Sequence, residues 1–158
     1  MIMESFLKIV TETALTEAEK AAKAGEIPVC AVIFAAEKKR IVAVEANRTE
    51  RDRDPTAHAE ILAIRAACGA SGQTRLNGLD LFVTLEPCPM CAAAISFARL
   101  RRVYFGAYDV KGGGVEHGCR LYERAANLFV PEVYGGIAQT RCAALLTDFF
   151  KNLRGGNA

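Results

Sequence analysis

Apolar and polar positions switch between two periods along this chain, and the switches mark its elements. In residues 5–23, Phe6, Val10, Ala14, Ala18 and Ala21 fall on one stripe with charges elsewhere, the spacing of a helix with one buried face. Gly25 and Pro28 stop it. Residues 29–35 (VCAVIFA) are a continuous apolar run of strand length, and 40–45 (RIVAVE) alternate more. A central buried strand and a neighbour produce those two patterns. Residues 47–55 (NRTERDRDP) read as a polar loop whose three arginines face one glutamate and two aspartates. Residues 57–68 read as a helix, with Ala57, Ile61, Ile64 and Cys68 in line, and 69–77 as a loop.

The second half repeats the alternation. Residues 80–85 (DLFVTL) predict a strand, and 87–100 begin with turn chemistry and continue as a helix apolar nearly all round, hence buried on several sides. Residues 102–105 (RVYF) predict another strand, 109–118 (DVKGGGVEHG) a glycine-rich loop, and Val133 and Tyr134 a last short strand. Residues 119–131 show no assignable period. Residues 140–154 form a strong amphipathic pattern, with Cys142, Leu145, Leu146, Phe149, Phe150 and Leu153 at helical spacing. There is no internal repeat and no low-complexity linker. Strands alternating with helices argue for an α/β layered domain around one sheet.

Composition narrows the class. The 158 residues fit one domain, here taken as 1–158, and are enough to bury a full core. With 51% hydrophobic and 24% charged residues, disorder, collagen and coiled coil are excluded. No apolar run approaches the roughly 18–20 residues that span a bilayer, so no membrane association is expected. Residues 1–10 lack a signal-peptide layout, and a cytoplasmic protein is expected. The net charge of +2 neither announces nor forbids a nucleic-acid partner. Six cysteines in a reducing compartment mean core thiols plus metal or catalytic use.

Two short segments carry the chemistry, Thr56-Ala57-His58-Ala59-Glu60 and Glu86-Pro87-Cys88-Pro89-Met90-Cys91. Each follows a loop and opens a helix. Cys88 and Cys91 are three apart, so at a helix start their sulfurs share a face, where the partial positive charge of the N-terminus favours thiolate. Two thiolates and one imidazole, with the fourth position open, make a catalytic zinc site, and thiolate–imidazole ligation favours zinc among divalent ions. The chain has two histidines. His58 opens a helix and can face the cysteine pair, whereas His117 sits in the glycine-rich loop. Zinc makes water a nucleophile at neutral pH, able to attack a ring carbon that bears an amine. Protons must then move from that water to the ring nitrogen and to the departing ammonia, and a carboxylate beside the metal can carry both. Glu60, two residues from His58, is the candidate. Alone, C-x-x-C is more often a redox pair or plain core, and H-x-E is nearly uninformative. Together and in this order they match the signature of zinc nucleobase deaminases. Cys30, Cys68 and Cys142 read as small buried hydrophobes.

Beyond these motifs the chain resembles, almost end to end, the bacterial tRNA-specific adenosine deaminases of the cytidine deaminase superfamily. The shared stretches are Glu26-Ile27-Pro28-Val29, Asn47-Arg48, Asp54-Pro55 running into the first motif, Val83-Thr84-Leu85 running into the second, and Arg102-Val103-Tyr104-Phe105-Gly106-Ala107. Asp109, Lys111-Gly112 and Asp148-Phe149-Phe150 also match. The resemblance implies a three-layer α/β/α sandwich with a central mixed five-stranded sheet, a homodimer, and one Zn2+ per subunit held by His58, Cys88 and Cys91 with Glu60 as proton shuttle. It implies that the partner is a tRNA anticodon stem-loop, whose wobble adenosine, in an arginine tRNA, becomes inosine. Asn47 would read the base edge, since an amide offers both donor and acceptor, and Val29 would line the pocket. Asp109 and Lys111 would contact ribose and backbone, and Phe149 would meet splayed-out anticodon bases.

Three features depart from the family pattern or fall outside it. Cys30 stands where the family typically has glycine, and so either narrows the pocket floor or faces the core. Residues 119–130 match only loosely, and the tail, 152–158, carries few cations. Arg99, Arg101 and Arg102 cluster, a pattern that is usually a solvated face. Two further functions fit the zinc motifs: a deaminase of a free base or nucleotide, such as guanine, cytosine or dCMP, and a non-catalytic member with zinc kept for folding. The RVYFGA strand, the Asp109/Lys111 pair and the helix carrying Asp148-Phe149-Phe150 favour RNA over free bases, and the intact Glu60 disfavours the non-catalytic reading.

Overall fold

The computed structural model describes residues 2–124 and 126–156. Ala125, within the loosely matching stretch, and Asn157 and Ala158, the end of the cation-poor tail, lie outside the described residues. Eleven elements follow in chain order. These are α1 (Ile2–Lys23), β1 (Cys30–Ala35), β2 (Arg40–Ala46), α2 (Thr49–Asp52), α3 (Ala59–Ser71), β3 (Asp80–Leu85), α4 (Pro89–Phe97), β4 (Arg102–Ala107), α5 (Leu121–Arg124), β5 (Glu132–Tyr134) and α6 (Gln139–Gly155). The strands form one mixed sheet in the order β2-β1-β3-β4-β5. β1 is antiparallel to both β2 and β3, whereas β3, β4 and β5 run parallel.

The period-2 alternation of the strands builds two cores. Ala31 and Ile33 of β1, Leu81 and Val83 of β3, and Val103 and Phe105 of β4 point to one face. They pack there on Ala59, Ala63 and Ala67 of α3 and on Ala92 and Ile95 of α4. Val32 and Phe34, Phe82, and Tyr104 point to the other face, onto Phe6, Val10, Ala14, Leu15 and Ala18 of α1 and Cys142 of α6. The result is the three-layer α/β/α sandwich expected from the resemblance. Every apolar residue of the α1 stripe is buried, as its spacing predicts. On α6 the stripe is buried only at Cys142 and Phe149, and Phe150 and Leu153 are exposed.

The departures from the sequence reading sit where tertiary contacts replace local signals. Thr49–Asp52, expected as loop, is one helical turn because the buried Glu26 carboxylate accepts the N–H groups of Glu50 and Arg51 at its start. Leu121–Arg124, in the stretch without an assignable period, is a second single turn, tied to α4 by the Tyr122 hydroxyl donating to the Ala92 carbonyl. The arginine cluster is not a free solvated face. Arg101 makes a two-point contact with the fully buried Asp80, at 2.9 Å for each nitrogen, Arg102 reaches Glu132 at 2.9 Å, and Arg99 lies over the Phe129 ring.

Asp80 opens β3, so its pairing with Arg101 fixes the strand that leads to the second motif. Removing the guanidinium leaves a buried carboxylate unpaired, which costs several kcal/mol in a dry site and less where the partner is part-exposed, as Arg101 is. Arg101→Ala should therefore lower the unfolding free energy by about 2–3 kcal/mol in urea titrations. A loss under about 1 kcal/mol would show that Asp80 finds other donors.

Candidate active site

Both chemical segments sit at helix starts on the same side of the sheet. His58 is the N-cap of α3 and Cys88 the N-cap of α4, each in extended backbone conformation, with Pro89 in the first turn of α4. A proline is tolerated there because its missing N–H would have no intrahelical partner. Cys91 follows on the buried side of the same turn. β3 ends at Leu85 and delivers the cysteine segment to the carboxyl edge of the parallel strands, the usual place for a ligand site in such sheets.

The three proposed ligands converge. His58 Nδ1 lies 3.6 Å from Cys88 Sγ and 3.5 Å from Cys91 Sγ, and the three ligand atoms lie within 4.8 Å of one another. A tetrahedral zinc with Zn–S near 2.3 Å and Zn–N near 2.05 Å has an S–N edge of about 3.6 Å. The thiol pair fits the same ion. Cys91 hydrogen-bonds to Cys88, which pushes Cys91 up, and burial adds to the rise. The same bond, helped by His58, holds Cys88 down at about 4 against its burial. The two thiols thus pull each other's pKa in opposite directions, and a dication between them would favour ionisation of both. Among the described residues no other group of three such side chains meets the same spacing. His117 does not join it.

Glu60, on the first turn of α3 and only 4% exposed, faces this cluster. Burial pushes its carboxyl up to about 7, and the Cys88 charge adds to the rise while His58 opposes it. A carboxyl poised near neutrality can both hold and release a proton.

A cavity of about 320 Å³ opens beside the cluster, lined by Val29, Asn47, His58, Glu60, Cys88 and Asp109 together with Ile27, Thr49, Leu85 and Gly112. That size suits a nucleobase with part of its sugar. Both N–H bonds of the Asn47 amide are engaged, with Glu26 at 3.3 Å and Thr49 at 3.2 Å, so the oxygen is what the amide has left to offer. Asp109 accepts the Gly112 N–H at 2.8 Å and shapes the turn at the cavity wall. Lys111 is exposed on that turn and does not line the cavity. Phe149 is 8% exposed and lies elsewhere, in a groove between α1 and α6 lined by Ala22, Lys23, Leu145 and Asp148. Cys30 faces the α1 side of the sheet and not the cavity, and burial pushes its thiol up to about 12.

Two residues that organise the site went unnoticed as such in the sequence. Glu26 secures Asn47 and α2. Glu86, whose side chain is fully buried, accepts hydrogen bonds from the 109–117 loop. Burial works to raise its pKa, but the bonds from His117 and the backbone outweigh it and hold the carboxyl below its usual range. The available signal was an acid beside an apolar strand, inside stretches that already matched the family, since such an acid must find donors when it is buried.

A His58, Cys88 and Cys91 group beside a buried carboxyl fits the zinc site of the cytidine deaminase class. Comparison with known proteins agrees: residues 5–107 match the family model described as cytidine and deoxycytidylate deaminase zinc-binding region. The chain is 51% identical over 143 residues to a tRNA-specific adenosine deaminase of Agrobacterium fabrum, covering 90% of this chain and 93% of that one. A solved structure from a study of A-to-I editing by tRNA:A34 deaminases superposes with a TM-score of 0.83 at 51% identity, over 86% of this chain and 97% of its own. A guanine deaminase structure from Bacillus subtilis is 40% identical with a TM-score of 0.59, over 66% of this chain and 64% of its own. The chain belongs to the family of the tRNA-specific adenosine deaminases.

Metal analysis by inductively coupled plasma mass spectrometry should find one zinc per chain. His58→Ala should lose it, and Glu60→Ala should keep it while kcat falls by about three orders of magnitude. Full zinc in His58→Ala would refute that ligand, and near-native turnover in Glu60→Ala would refute the shuttle.

Proposed function

We propose that this chain, as a single deaminase domain over residues 1–158, converts the wobble adenosine of a tRNA anticodon to inosine, with an arginine tRNA as its substrate. The observation that carries the reading is the buried Glu60 carboxyl beside the His58, Cys88 and Cys91 cluster, at the wall of a nucleobase-sized cavity. Similarity over nearly the full length of a tRNA-specific relative supports the choice of substrate.

His58, Cys88 and Cys91 would hold a zinc ion, which would supply an acidified water to the cavity. The chain's own residues do the rest. The anticodon base is already unpaired, so entering the cavity costs little. Asn47 and Val29 hold it, with the amide oxygen placed as an acceptor. Glu60 takes a proton from the water and gives it to ring N1 as the new C–O bond forms at C6. It then passes the second water proton to the amine, and the C–N bond breaks. Water and adenosine become inosine and ammonia. Asp109 and Lys111 contact the ribose and backbone beside the flipped base, and Phe149 contributes from α6 to the surface that receives the anticodon loop.

The active form is a homodimer that works in the cytoplasm. Phe97, at the end of α4, is 70% exposed and borders a crevice lined by Ile61, Ile64, Ala94 and Ala98. An apolar patch of this kind favours a partner surface over water. No helix among the described residues is long and apolar enough to cross a membrane.

Incubation of the zinc-loaded protein with the arginine tRNA should place inosine at the wobble position, read by nucleoside mass spectrometry, while guanine, cytosine and dCMP release little ammonia. Turnover of a free base with none on tRNA would replace this reading with the free-base one. Phe97→Lys should shift the protein from dimer to monomer in sedimentation velocity. A wild-type monomer would refute the assembly.

A further inference from the structure

One buried group outside the metal cluster organises the cavity wall. The side chain of Glu86 is fully buried, two residues before the ligand Cys88. Its Oε1 accepts the Asp109 N–H at 3.2 Å and the His117 Nδ1–H at 2.8 Å. Its Oε2 accepts the N–H groups of Val115, Glu116 and His117 at 3.3, 3.0 and 2.9 Å. Five donors from one loop therefore converge on one carboxylate. A carboxylate has about four lone-pair sites, so Glu86 has none left for substrate.

The loop is moulded to this anchor. A Cβ on Gly113 would run into Glu86 Oε2, and one on Gly114 would lie 2.6 Å from the Pro89 nitrogen. The Gly114 N–H also bonds the Pro87 carbonyl at 2.8 Å. At its other end the same loop supplies Asp109 and Gly112 to the cavity. None of the metal ligands, nor Glu60, comes from this loop.

We propose that Glu86 is a positioning residue for the nucleic-acid substrate. It fixes residues 109–117 as a rigid wall, so that Asp109 meets the substrate already in place. The inference deepens the tRNA reading and rests on it. A carboxylate that acts only through the loop governs substrate capture and leaves the metal and the proton shuttle intact.

The test uses steady-state kinetics on a synthetic anticodon stem-loop together with zinc analysis. Glu86→Gln keeps the size but replaces one acceptor oxygen with an NH2 group facing backbone N–H groups. Gly113→Ala displaces the loop from the opposite side. Each should raise KM by about tenfold with kcat within about threefold and zinc unchanged, and the double variant should be no worse than the worse single one, because both displace the same loop. If Glu86→Gln does not fold, Gly113→Ala and His117→Ala carry the same KM split. A fall in kcat at unchanged KM, loss of zinc, or multiplying effects in the double variant overturns the inference. A wild type active on the stem-loop with variants indistinguishable from it refutes the inference alone, whereas a wild type that makes no inosine removes the tRNA reading and the inference with it.

Discussion

Cys88 and Cys91 share a space too small for two negative charges. Their shared hydrogen bond lowers the pKa of Cys88, helped by His58, and raises that of Cys91. A dication would relieve that conflict, and packing of α3 and α4 on the sheet brings three donors to one place for it. Two helix starts supply them, His58 at that of α3 and Cys88 with Cys91 at that of α4. The mixed sheet brings α3 and α4 to one of its faces, so that residues 30 apart in sequence come within 3.6 Å. The same constraint places Glu60. A carboxyl in the first turn of α3, two residues from the His58 cap, is buried against the cluster and cannot keep an ordinary pKa there.

Around that centre, two further carboxylates do the work of scaffold. Glu26 closes α2 and occupies the Asn47 amide, and Glu86 gathers the 109–117 loop. Each is buried, each accepts several N–H groups, and each acts on a segment with too little apolar surface to hold itself in place. The cavity wall is thus made of loops held by acids, whereas the reacting groups sit on helices packed into the core.

Much of this was legible in the sequence. The α1 stripe, the β1 and β3 runs and the buried α4 follow from periodicity, because apolar burial is what sets those elements. The convergence of His58, Cys88 and Cys91, with Glu60 beside them, was legible because metal chemistry demands particular residue types at particular spacings. What could not be read depends on distant partners. The single turns at Thr49–Asp52 and Leu121–Arg124 exist through contacts with Glu26 and with the Ala92 carbonyl. The pairing of Arg101 with Asp80 spans 21 positions. The α6 stripe predicts more burial than occurs, since Phe150 and Leu153 stay exposed. Spacing also says nothing of which face a strand residue takes, so Cys30 could be placed on the α1 side only from the structure.

The proposed zinc site is open and has three protein ligands, His58, Cys88 and Cys91. X-ray absorption at the zinc edge of the purified protein tests it most directly. The account predicts two sulfurs near 2.3 Å and two nitrogen or oxygen neighbours near 2.0 Å, one of them exchangeable solvent. A shell of four sulfurs, or of nitrogen and oxygen alone, would contradict it.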